Sequence, residues 1–182
     1  MSNMKKYLMT AVILGSIAMA SGLLIGATNL VTKSPIARNE QKKISNGLSD
    51  IYDQEVVVAK DETVTTKQNK DNDLKYIDHV YFINDNNNTS LGRAFRTTGS
   101  NSYGKISLII GFTSNGVYKG LSIVTNEQSF ASTLVKGYVN PLQEAEDKEK
   151  AMANVNCGAT YGATLVRDMI TNATKAFTVF TE

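Results

Sequence analysis

Tyr103-Gly-Lys-Ile-Ser-Leu-Ile-Ile-Gly-Phe112 and Val117-Tyr-Lys-Gly-Leu-Ser-Ile-Val-Thr125, joined across Ser114-Asn115-Gly116, are the residues on which the fold turns. Two runs rich in β-branched and aromatic residues meet at an Asn-Gly pair, which favours the positive backbone angles of a tight connection, so the stretch predicts an antiparallel hairpin at the centre of a sheet. Working back toward the N-terminus, Ile77, Val80 and Phe82 interleave with Asp78, His79 and Tyr81, an imperfect alternation that predicts a strand over 76–83. Asp85-Asn-Asn-Asn88-Thr-Ser has turn chemistry, and Leu91 to Thr97 resumes as a strand. Val56-Val-Val58 is a further short β-branched run, and Asp61 to Asp73 reads as a polar loop. Toward the C-terminus, Phe130, Leu134 and Val135 start a helical pattern. Glu144-Ala-Glu-Asp-Lys-Glu-Lys150 pairs opposite charges at helical spacing and reads as a solvated helix face. Val166, Met169, Ile170, Ala173 and Phe177 define a last helix. The fold class is therefore α+β, an antiparallel sheet flanked by helices.

The first 32 residues are of a different kind. No charged residue lies between Lys6 and Lys33, a longer run than the ~20 residues a helix needs to cross the bilayer core. Residues 1–32 read as a single N-terminal transmembrane anchor. Lys5 and Lys6 place the N-terminus in the cytoplasm and the remainder outside it, although Lys33, Arg38, Lys42 and Lys43 act against that orientation. A cleaved signal peptide is the competing reading, because Ala18-Met19-Ala20 has the small-x-small form of a cleavage site. Against it, Leu23, Leu24 and Ile25 continue the apolar run. Residues 33–55 read as a juxtamembrane helix or linker, with Ile44, Leu48 and Ile51 on one face, and 56–182 as the folded domain.

Bulk properties narrow the chemistry. The chain has 182 residues with 42% hydrophobic and 20% charged, enough for one core. Its 19 basic and 17 acidic residues give a net charge of +2 with no dense basic run, which argues against a nucleic-acid partner. One cysteine and one histidine exclude a disulfide framework, a multi-Cys metal cluster and a His-rich metal site. His79 has no acid or nucleophile tied to it by a recognisable spacing, and no catalytic residue is assigned. So sparse a set fits a protein that holds a cofactor which does the chemistry itself.

Asn154-Val-Asn-Cys157-Gly158-Ala159-Thr160-Tyr161-Gly162-Ala163-Thr164 leads into the last helix. A small-residue turn at a helix N-terminus gathers unpaired amides and the positive end of the dipole, and Gly158 lets backbone approach closely, which suits a phosphate. By itself such a turn is more often only a cap. Cys157-Gly-Ala-Thr160 resembles the Ser/Thr-Gly-Ala-Thr motif of the FMN-binding domain family, whose members include the G subunit of Rnf-type ferredoxin:NAD oxidoreductases and the C subunit of sodium-pumping NADH:quinone oxidoreductases. Asn29-Leu-Val-Thr32 with Pro35-Ile36, Tyr103-Gly104, and Gly120-Leu-Ser-Ile123 resemble further elements of that family in the same order.

The resemblance implies FMN bound covalently as a phosphoester of Thr160, with Gly158, Ala159, Cys157 and Tyr161 around it. Glu127 is the one residue kept from a loop that contacts the flavin in relatives. Asn154, Cys157, Gly162 and Ala163 depart from the family's Asp, Ser or Thr, and following hydroxyl residues. Gln128-Ser129-Phe130 replaces its Thr-Pro-Gly. Gly162-Ala163-Thr164 repeats the tripeptide but follows Tyr161, and Gly26-Ala27-Thr28 lies within the apolar segment. The implied setting is a single-pass cell-membrane protein with its N-terminus cytoplasmic and its flavin domain extracytoplasmic. It would relay electrons among the other membrane subunits of an Rnf-type complex, after maturation by a flavin transferase. A stand-alone extracytoplasmic FMN carrier or flavin-linked reductase, and a membrane-anchored binding module without cofactor, remain as alternatives.

Overall fold

The computed structural model of the protein describes residues 2–180. Two compact units are present, residues 1–42 and 43–182. Helix α1 (Ser2–Tyr52) continues through Pro35. Within it, Lys5–Thr28 is a 24-residue stretch long and apolar enough to cross a membrane. Leu8, Ile13, Ile17 and Leu24 are all exposed along it, as a helix needing an apolar surrounding would leave them.

The second unit is built on five antiparallel strands, β1 (Val57–Thr63), β2 (Ile77–Asn84), β3 (Ser90–Asn101), β4 (Gly104–Thr113) and β5 (Tyr118–Asn126), in the order β1-β2-β3-β4-β5. Each pairs with its sequence neighbour, so short turns suffice and no crossover is needed. The Ser114-Asn115-Gly116 hairpin forms as its sequence requires, with Thr113 N–H donating to Val117 O at 2.9 Å and Gly116 at φ +80°. Its second strand is not central, however. β5 is an edge and β3 is the middle strand, because residue alternation reports burial and not the number of neighbours.

Helices cover both faces of the sheet. Helix α6 (Thr160–Val179) packs Val166, Met169, Ile170 and Ala173 over Val80, Phe95, Leu108 and Ile110. On the opposite face the last turns of α1, through Leu48, Ile51 and Tyr52, close over Tyr81, Ile83, Ala94, Ile109 and Val124. This double coverage explains why β4 is buried without interruption from Ile106 to Phe112 and shows no alternation. Tyr52 Oη donates to Phe112 O at 2.9 Å, and Lys43 Nζ to Val124 O at 3.2 Å.

Three local expectations change. The polar segment 61–73 holds the end of β1 and a short helix, α2 (Thr66–Asp71), entered through a capping box between Thr65 and Gln68. The helical pattern from Phe130 becomes α3 (Ala131–Leu134), a π-helical turn (Val135–Val139) and α4 (Asn140–Glu144). The charged run 144–150 is not one helix. Ala145 is extended at ψ 137°, and Asp147 caps a separate helix, α5 (Lys148–Ala153), by accepting from Lys150 N–H at 3.0 Å.

Candidate functional site

The irregular stretch between α5 and α6 ends at Gly158, whose φ of +77° is a conformation glycine adopts without strain. Ala159, at φ −127° and ψ 46°, occupies the cap position of α6 and supplies no side-chain hydrogen bond. The first intrahelical bond runs from Ala163 N–H to Ala159 O at 2.9 Å. The N–H groups of Thr160, Tyr161 and Gly162 therefore precede the hydrogen-bonded ladder and face outward from the positive end of a 20-residue helix.

These amides border a cavity of about 250 Å³. Gly158, Ala159, Thr160, Tyr161 and Gly162 form one wall. Tyr103, from the turn between β3 and β4, forms another, and Gln128, Phe130 and Leu134, from β5 onward, complete it. None of these nine residues is charged, so the helix terminus dominates the local electrostatics.

Hydrogen bonds fix the three converging segments to one another. Tyr103 O accepts from Ser129 N–H at 2.8 Å and Ser129 Oγ at 3.2 Å, and Tyr103 N–H donates to Asn101 Oδ1 at 2.9 Å. Asn101 Nδ2 in turn donates to Tyr161 O at 3.1 Å, which ties the turn to the first turn of α6. Gln128 is 6% exposed and donates through Nε2 to Gly104 O, with its N–H held by Asn126 Oδ1 at 3.1 Å. Gly104, at φ +131°, allows this contact, since a Cβ there would lie 2.2 Å from Glu127 O.

Thr160, Gly158, Ala159 and Tyr161 are thus gathered on one wall, with Thr160 exposed at the mouth. Cys157 lies just behind them, half-buried against the π-helical turn; a Cβ on Gly137 would come within 2.9 Å of both its Cβ and its carbonyl oxygen. Glu127 is exposed and is not a lining residue; its buried neighbour Gln128 lines the cavity instead. Thr164 is one turn further along α6 and also does not line it, and Thr28 bonds back to Leu24 O within α1. His79 is elsewhere, on β2, paired with Asp61 at 3.0 Å and stacked on Tyr81. No cluster of three or more potential metal ligands occurs among the described residues.

Sequence reasoning missed Gln128, Tyr103, Phe130 and Leu134 as lining residues. Tyr103-Gly104 stood out as a motif element, but nothing in its spacing relates it to residue 160; the sheet register does. A wider groove of about 1060 Å³ runs past Val117, Tyr118 and Met152 under a rim of Glu146, Asp147 and Lys148. It is not formed at the start of a long helix, and its lining carries charged side chains of both signs.

Residues 1–51 match the family model described as the RnfG N-terminal region. The match covers most of α1 and stops short of the cavity. No curated protein and no solved structure matches the chain.

Proposed function

We propose that this chain is the flavin-carrying subunit of an Rnf-type membrane oxidoreductase, holding FMN through a phosphoester to Thr160 and relaying electrons among its partner subunits. The observation that carries the reading is the coincidence of two independent features in one chain. One is an N-terminal region that matches the RnfG N-terminal family model, and the other is a small-residue helix terminus bordering a cavity lined by uncharged residues, with exposed Thr160 among them.

The residues present fit the group. An esterified phosphate keeps one negative charge, which the Thr160, Tyr161 and Gly162 amides and the helix dipole stabilise without a cationic side chain. At Gly158 a Cβ would meet only Thr133 Cγ2, at 3.3 Å, so its absence leaves backbone accessible to the phosphate. The Tyr103, Phe130 and Leu134 surface offers apolar and aromatic contact to a planar ring. When bound, FMN supplies one- and two-electron redox chemistry that the side chains here do not. Thr160 would retain it, the Gln128 amide would border it, and Tyr103, Phe130 and Leu134 would give its ring apolar contact. Cys157 supports the turn from behind in place of the motif's hydroxyl residue.

α1 would anchor the chain in the cell membrane, with Lys5 and Lys6 cytoplasmic and the domain beginning at residue 43 outside the cytoplasm. Covalent retention has a physical purpose there, since a flavin lost from the outer side could not be replaced readily from the cytosolic pool. The apolar stretch carries no Asp, Glu, Lys, Arg or His between Lys6 and Thr28, so ion movement would belong to multi-span partners. In-gel flavin fluorescence after denaturing electrophoresis tests the bond. Wild-type chain co-expressed with a flavin transferase should give a fluorescent band and Thr160→Val none; a band that persists in the variant rejects Thr160 as the site.

A further inference from the structure

We infer that Tyr103 is the platform on which the isoalloxazine ring stacks, with Phe130 and Tyr161 closing its two sides; this rests on the proposal that the cavity holds a flavin. Among the three aromatic side chains, Tyr103 is central. Its ring centroid is 5.4 Å from that of Tyr161 and 5.8 Å from that of Phe130. It is also the least exposed, at 37%, against 52% for Phe130 and 68% for Tyr161.

An aromatic ring left this accessible beside a cavity has apolar surface still to cover, and a planar heteroaromatic covers it best in an offset stack. Tyr103 is held for that task before anything binds. Its N–H and carbonyl are both hydrogen-bonded, at 2.9 Å to Asn101 and 2.8 Å to Ser129, and Asn101 continues the tie to Tyr161. A platform fixed through its backbone loses little further freedom when a ring settles on it.

The assignment is testable through light emission, separately from electron-transfer activity. A phenol in contact with an excited flavin donates an electron and recovers it without emission, whereas a phenyl ring is too poor a donor to do so. Full-length chain co-expressed with the flavin transferase should show weak flavin emission when folded, rising several-fold per flavin on denaturation. Tyr103→Phe keeps the stacking surface and should recover more of that emission in the folded state than Tyr161→Phe does, with flavin content checked by mass. If loaded wild-type protein is already as bright folded as denatured, or if Tyr161→Phe and not Tyr103→Phe releases the emission, the assignment of Tyr103 is overturned while the flavin reading survives. Absence of flavin from the wild-type chain overturns both.

Discussion

Replacing Gly104 by Ala probes how the candidate site is held together. The added Cβ would lie 2.2 Å from Glu127 O, 2.8 Å from Glu127 C and 3.1 Å from Gln128 Cα, all backbone atoms that no rotamer change can move. Hydrogen bonds on both sides lock the contact, Glu127 N–H to Lys105 O and Ser129 N–H to Tyr103 O, each at 2.8 Å. Relief requires opening one or both, together with the Gln128 amide bond to Gly104 O. Holding a non-glycine residue at φ +131° costs about 1–3 kcal/mol. Losing one or two hydrogen bonds adds about 0.5–1.5 kcal/mol each. The sum, roughly 2–6 kcal/mol, is a large part of the ~5–15 kcal/mol that stabilises a typical domain. Gly158→Ala is the internal control for backbone strain alone. Its Cβ would meet only the Thr133 methyl at 3.3 Å, so the left-handed φ dominates at about 1–2 kcal/mol. Urea denaturation of the detergent-solubilised chain, followed by tyrosine fluorescence, measures both. A Gly104→Ala midpoint no lower than that of Gly158→Ala would refute the reasoning.

Leu48→Ala should cost about 2–5 kcal/mol in the same assay, because Leu48 is 1% exposed beneath the sheet. An effect under about 0.5 kcal/mol, the range of an exposed site, would mean that the end of α1 does not belong to the core. Burial pushes Tyr138 up to about 12 and raises Tyr52 and Tyr118 as well. Unfolded tyrosine titrates near ~10, so this stabilisation is complete below that pH and is lost as pH rises from there through about 12. Phenolate absorbance from these residues should therefore appear together with loss of circular dichroism, and appearance in a folded protein near pH ~10 would contradict the burial. The Tyr118 hydroxyl is buried with no hydrogen-bond partner among the described residues, whereas Tyr52 donates to Phe112 O. Tyr118→Phe should consequently be neutral or stabilising and Tyr52→Phe destabilising by about 1 kcal/mol, measured side by side.

The sheet was legible where local chemistry and burial agreed. The Asn115-Gly116 turn and the flanking β-branched runs specify the β4–β5 hairpin on their own, and the apolar spacing from Val166 to Phe177 specifies α6. What failed were features set by neighbours distant in sequence. That β5 is an edge depends on what does not pair with it. The α2 capping box was readable as Thr65-x-x-Gln68, but the surrounding polar residues masked it. Charge spacing over 144–150 suited a helix, yet Ala145 turns the chain out and Asp147 starts a new one. At the site, the small-residue turn and Thr160 were visible because they form one local motif. Gln128 and Tyr103 were not, because only the β3–β4 and β4–β5 registers bring them to residue 160, and one step past the end of β5 exchanges exposed Glu127 for buried Gln128.

Peptide mass spectrometry of the natively expressed protein, on the fragment containing Thr160, asks most directly whether this cavity is a flavin site. The expected spectrum shows that fragment heavier by FMN less one water, with fragmentation placing the addition on Thr160. An unmodified Thr160 fragment from cells that contain the flavin transferase would contradict it.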